Sequence, residues 1–173
     1  NMLTIVLGFA SMVLAFSYPF MKRITYWPQF FLGLTFNWGI VMAWAAITNN
    51  ISYEILILYA SAIFWTLGYD TIYGTQDVAD DEIIGIKSTS IKFKNNIKLF
   101  VSFCYLASSA LIIYLFYSKF GLNNFSLLVI IYILSLVYQV IIFEKNDPKK
   151  CLRAFKINNF SGLFLFFGIF LIN

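Results

Sequence analysis

Apolar residues in this chain fall into six long blocks separated by short polar links. The blocks run from Met2 to Phe20, Gln29 to Ile47, Tyr53 to Tyr73, Ile97 to Phe120, Phe125 to Phe143 and Cys151 to Ile172. Each is close to the about 20 mostly apolar residues that a membrane-crossing helix needs. In hydrocarbon every backbone donor and acceptor must pair inside the protein, so each block is predicted to be a helix. The expected fold class is all-α, a polytopic transmembrane bundle of about six helices.

Composition agrees with that reading. The chain has 173 residues, of which 61% are hydrophobic, 20% aromatic and 12% charged. A soluble domain carries about twice that share of charge. The first block lacks the basic start and small-residue cleavage site of a secretory signal. It does open directly on Asn1, which raises the expectation of further spans upstream. Cys104 and Cys151 stand far apart with no CxxC spacing, as ordinary packing residues do. The chain has no histidine, so zinc sites and Ser-His or Cys-His catalysis have no support.

The basic residues are sorted by link. Lys22 and Arg23 follow the first block; Lys87, Lys92, Lys94 and Lys98 follow the third; Lys145, Lys149, Lys150, Arg153 and Lys156 lie after the fifth. Only Lys119 falls in another link. Six alternating spans put the eleven on one face, and basic loops stay cytoplasmic, so both termini are expected outside. The net charge of +4 reflects this topology and gives no reason to expect nucleic-acid binding.

One stretch departs from the membrane pattern, Tyr69-Asp70-Thr71-Ile72-Tyr73-Gly74-Thr75-Gln76-Asp77-Val78-Ala79-Asp80-Asp81-Glu82. Asp77 and Asp81 are four apart and project from one face if helical. Should the third helix continue, Asp70, Tyr73, Asp77 and Asp81 form one polar stripe, with Asp80 off it. Carboxylates a turn apart repel and call for a positive partner. Spacing alone leaves two readings open: a Mg²⁺–phosphate site, or a hydrated acidic helix end near Lys87. Pro19 is expected to break or kink the chain at the end of the first block. Lys22 and Arg23 then share the membrane face of the aspartates. They suit a phosphate or carboxylate, and equally a plain topological anchor.

Three segments together resemble the UbiA family of intramembrane prenyltransferases, especially its 4-hydroxybenzoate polyprenyltransferase branch. Tyr18 to Arg23 with Trp27-Pro28-Gln29 and Leu32 to Gly39 is similar to that branch's YPxMKR…PQ…LGxxFxWG segment. Tyr69-Asp70-Thr71 through Asp81, with Ile84-Gly85-Ile86-Lys87-Ser88-Thr89, is similar to its second aspartate-rich motif. Cys151 to Phe160 with Gly162-Leu163 is similar to its last helix. The family's first motif, NDxxDxxxD, does not occur in these residues.

The resemblance implies helices four to nine of a nine-helix fold, with residues 1–173 forming one partial membrane domain. It implies transfer of a polyprenyl group from polyprenyl diphosphate to the ring of 4-hydroxybenzoate, a step of ubiquinone synthesis, with Mg²⁺ as cofactor. By the family motif, Asp77 and Asp81 are the expected Mg²⁺–diphosphate ligands and Lys22 the diphosphate contact. Arg23 is expected at the diphosphate or the aromatic carboxylate. Tyr18, Asn37, Asp70, Tyr73 and Lys87 are further substrate-binding candidates. The expected setting is a bacterial or mitochondrial inner membrane, with the site on the cytoplasmic or matrix side and a missing N-terminal segment as partner. A non-catalytic truncated remnant, or a subunit of a split prenyltransferase, is the competing expectation; a transporter prompted by intramembrane acids is the third.

Overall fold

The computed structural model describes residues 1–172, and among them every regular element is helical. Helix α1 covers Met2–Ile24, α2 Pro28–Phe36, α3 Trp38–Thr48, α4 Tyr53–Gly74, α5 Val78–Ile84, α6 Thr89–Lys92, α7 Ile97–Leu115, α8 Asn124–Ile142 and α9 Pro148–Phe170. A short 3₁₀ turn, Tyr117–Lys119, follows α7. The starts are written locally in the sequence. Asn1, Ser52, Ser88, Asn123 and Asp147 each accept a backbone N–H in the first turn of the helix they precede. These caps satisfy donors that have no partner within the helix.

Five segments are long and apolar enough to cross a membrane: Met2–Ile24, Pro28–Thr48, Tyr53–Gly74, Ile97–Leu115 and Asn124–Ile142. The sixth predicted block forms α9, as long as α1, but Lys149, Lys150, Arg153 and Lys156 in its first half remove it from that apolar set. The second block is two helices. They meet at Asn37, whose φ of −91° and ψ of 1° lie outside the helical region. Pro19 does not end α1, which runs through it to Ile24. A proline removes one backbone donor, and a helix otherwise well supported can absorb that loss.

Helix α4 is the axis of the bundle. It packs against α7 most extensively and also against α2, α3 and α9, while α8 pairs with α9. Close approach depends on glycine at Gly68, where an added Cβ would stand 2.5 Å from the Tyr105 ring. The interior is threaded by polar pairs. Ser61 Oγ donates to Ser108 O at 3.0 Å, and Tyr105 Oη donates to Gln139 Oε1 at 2.6 Å. Gln139 Nε2 donates to Ser161 Oγ at 3.1 Å, joining α8 to α9. Among the described residues no buried side-chain nitrogen or oxygen lacks a partner. Outward, the spans present Phe9, Val13, Phe16, Ile47, Leu106, Leu134 and Ile141, all exposed, as a lipid-facing surface would.

Candidate active site

Asp77 and Asp81 do not continue α4. Three tightened turns close it: Thr75 N to Ile72 O at 3.2 Å, Gln76 N to Tyr73 O at 3.2 Å and Asp77 N to Gly74 O at 3.4 Å. Helix α5 then begins, with Asp77 at its N-cap position. The predicted single stripe from Asp70 to Asp81 is therefore interrupted between Gly74 and Asp77. Gly74 is pressed against Ser90 Oγ, 2.9 Å from where a Cβ would be. The docking of residues 88–90 on the end of α4 accompanies the break. The pairing of Asp77 with Asp81 survives it, because Asp81 N donates to Asp77 O at 2.8 Å, one helical turn.

Residues 85–92 form a seam that fixes this end of the bundle. Gly85, at φ +76°, reverses the chain after α5 in a conformation that glycine adopts without strain. Thr89 N then donates to Gln29 Oε1 at 2.9 Å, and Ser90 Oγ donates to Thr71 O at 2.8 Å. Thr71 Oγ1 and Thr89 Oγ1 lie 2.7 Å apart, and all these groups are buried. Lys87 N donates to Lys22 O at 2.8 Å, and Lys87 Nζ donates to Ile24 O at 3.2 Å while lying over the Tyr26 ring. Lys87 thus satisfies the end of α1; its charge is engaged there.

These contacts bring the end of α1 beside the acidic segment. Lys22 is in electrostatic reach of both Asp70 on α4 and Asp81 on α5, and Tyr18, one turn before Lys22, is in reach of Asp70. Burial pushes the Asp81 carboxyl above its ordinary range; Lys22 opposes that rise, and Asp77 and Asp80 add to it. Asp77, Arg23 and Lys22 are exposed. Neither Asp77 nor Asp81 forms an ion pair within 4.0 Å among the described residues, whereas Glu82 bonds Lys94 at 2.6 Å.

The donor set suits a hard divalent cation. Asp77 spends no side-chain bond on capping α5, so its carboxylate is available beside that of Asp81. Among the described residues no group of three or more Asp, Glu, Cys or His side chains comes together. Two carboxylates alone fall short of such a group, and a hard cation there would need further oxygens to complete its shell.

An aromatic wall extends inward from the acidic end, and sequence reasoning did not find most of it. Tyr73 lies 4.8 Å from Phe155 of α9, centroid to centroid, and Tyr69 lies 5.8 Å from the same ring. Trp65 meets Tyr69 edge-on at 5.9 Å and donates its indole N–H to Asn158 Oδ1 at 2.9 Å. A cavity of about 290 Å³ opens here, lined by Asn37, Trp65, Thr66, Tyr69, Phe155 and Asn159 among others. The Asn37 amide donates to Gly33 O at 2.9 Å and Thr66 Oγ1 at 2.8 Å, so it joins the α2–α3 kink to α4 as well as lining the cavity. Trp65, Tyr69 and Tyr73 recur every four residues, and that period was the available signal.

The three basic links expected on one face do meet at one end of the bundle. Lys87 reaches α1, and Lys145 Nζ donates to Lys94 O at 3.3 Å.

An apolar helical bundle with carboxylates and basic side chains gathered at one end has the character of an integral membrane protein. The UbiA prenyltransferase family model matches residues 1–167, and the chain belongs to that family. The mitochondrial 4-hydroxybenzoate polyprenyltransferase of Bos taurus is 40% identical over 179 residues, covering 100% of this chain and 47% of that protein. The 4-hydroxybenzoate octaprenyltransferase of Vibrio vulnificus is 40% identical over 171 residues, covering 98% of this chain and 60% of its own length. The chain thus spans about half to three-fifths of these relatives. An apo structure of a UbiA homolog from Aeropyrum pernix K1 superposes with a TM-score of 0.79 over 96% of this chain and 62% of that one. At 22% identity it supports the fold alone.

Proposed function

We propose that this chain carries part of the catalytic machinery of a 4-hydroxybenzoate polyprenyltransferase. It moves a polyprenyl group from polyprenyl diphosphate to the aromatic ring. The observation that carries the reading is the bond from Lys87 N to Lys22 O, which ties the segment after the Asp77–Asp81 turn to the basic end of α1, in a chain so similar to enzymes of that name.

Asp77 and Asp81 would hold Mg²⁺, which supplies charge neutralisation to the departing diphosphate. Lys22 adds a point charge to the same diphosphate, and Lys87 holds Lys22 in place through the main chain. Tyr18 and Asp70 would contribute to substrate binding beside Lys22. As the allylic C–O bond breaks, the electron pair leaves with the diphosphate, and the cationic carbon lies along Tyr73, Tyr69 and Phe155. Aromatic faces attract a cation, and this wall excludes water that would otherwise capture it. The ring carbon beside the phenol hydroxyl forms the new C–C bond, and its proton is then lost. Arg23 would bind either the diphosphate or the aromatic carboxylate. Asn37 lines the cavity that receives an organic group.

The reaction belongs at an inner membrane, bacterial or mitochondrial, with the acidic end on the cytoplasmic or matrix side where the basic links gather. By the family pattern a first aspartate-rich segment would complete the donor site; NDxxDxxxD does not occur among the 173 residues. The deciding experiment measures prenylated product with the full-length protein in membranes. Asp77→Ala and Asp81→Ala are expected to abolish product with membrane insertion intact. Turnover at the unmodified rate in both would remove the proposal.

A further inference from the structure

We propose that the outer face of α9 is a binding site for an anionic phospholipid. Lys149, Arg153, Lys156 and Phe160 recur at helical spacing along one side of α9, and all four are exposed. That side lies opposite Cys151, Ala154 and Ser161, which face the bundle. A groove of about 320 Å³ runs along it, with Leu152, Ile157 and Phe160 as apolar walls between the cations.

Three features fit this ligand class. First, the stripe changes character along its length. Cations occupy the first two turns, and exposed Phe160, Leu163, Phe167 and Phe170 continue toward the far end. A charged head followed by acyl chains has the same order; a soluble phosphate has no use for the second half. Second, the three cations are unpaired among the described residues, whereas neighbouring Lys150 is bonded to Glu144 and Lys94 to Glu82. Arg153 is held only by a neutral group, donating from Nη2 to Tyr138 Oη at 3.3 Å. Third, Asp147 is spent on the cap of α9, where its carboxylate accepts from Lys149 N and Lys150 N, and it pairs with none of the three side-chain cations. Basic pockets beside membrane helices are suited to acidic headgroups for these reasons.

None of the four residues has a part in the catalytic reading, and the proposal does not depend on it. The test uses the protein in nanodiscs with a trace of photo-crosslinkable phosphatidylglycerol, followed by peptide mapping. Labelling is expected within residues 149–160, weaker with a phosphatidylcholine probe, and undisturbed by millimolar inorganic phosphate. Neutralising each cation near the surface is expected to weaken capture about fivefold. Lys149→Gln, Arg153→Gln and Lys156→Gln combined should therefore nearly abolish it. Labelling spread evenly over lipid-facing helices, equal capture of both lipids, or displacement by inorganic phosphate would each overturn the proposal. The map on the unmodified protein decides the matter even if the triple variant does not fold.

Discussion

The backbone N–H of Lys87 donates to the carbonyl of Lys22 at 2.8 Å, tying the segment after the acidic helix to the end of α1. The Lys87 ammonium reaches two residues further along, to Ile24 O at 3.2 Å. The segment that follows the carboxylates in sequence therefore fixes the end of α1 that carries Lys22. Lys87→Ala keeps the main-chain bond and loses the ammonium contact and the Tyr26 stacking. An exposed contact of this kind is worth about 1 kcal/mol or less. Kinetics on the full-length protein should show a several-fold rise in KM for the prenyl diphosphate and a nearly unchanged melting temperature.

Asp77, Asp80 and Asp81 allow a sharper comparison within one short helix. Asp77→Asn and Asp81→Asn should each cut kcat by about a hundredfold or more, since each removes charge placed at the leaving group. Asp80→Asn, off the shared face, should retain most activity. Equal losses at all three positions would show that bulk acidity, not placement, matters.

Arg23 can be assigned by substrate. If it grips the aromatic carboxylate, Arg23→Ala raises KM for 4-hydroxybenzoate and leaves that for the prenyl diphosphate alone. The reverse pattern assigns it to the donor. No change in either KM rejects both roles.

Gln29 accepts the buried N–H of Thr89 at 2.9 Å. Gln29→Leu leaves that donor without a partner, at a cost of about 1–3 kcal/mol. Hydrogen exchange should rise in residues 85–92 well before it rises in α7 or α8. Uniform protection across the protein would contradict the role given to this bond.

Gly68→Ala places a methyl 2.5 Å from a Tyr105 ring carbon. That ring cannot swing aside freely, because its hydroxyl is bonded to Gln139 in the buried interior. Overpacking of this kind costs about 1–3 kcal/mol. A thermal-shift measurement in detergent should register a clear drop, and an unchanged midpoint would mean that α4 and α7 can separate locally.

Much of the architecture was legible because lipid imposes simple rules. Long apolar runs in the chain could only be helices, and the sorting of Lys and Arg by link foretold which ends of the bundle meet. The Asp77–Asp81 spacing was equally readable, since a turn of helix is a local property. The break after Gly74 was not. It accompanies contact with Ser90, sixteen residues on, and periodicity carries no such information. Pro19, expected to break or kink the chain, does not break it: the helix continues to Ile24. The aromatic wall needed Phe155 from α9 against Tyr69 and Tyr73 from α4, a pairing no single segment announces. The bond from the Lys87 ammonium to Ile24 O, across 63 residues of sequence, was likewise beyond any local pattern.

The tightened turn at Thr75–Asp77 has a wider consequence. The carboxylates ride on a seven-residue helix of their own, not on the long span that carries Asp70. Their aim toward Lys22 is governed by how residues 85–92 are stitched to Gln29 and Thr71. Damage to that stitching, at side chains that never meet a reactant, will register as a chemical defect while the spans themselves stay folded in the bilayer.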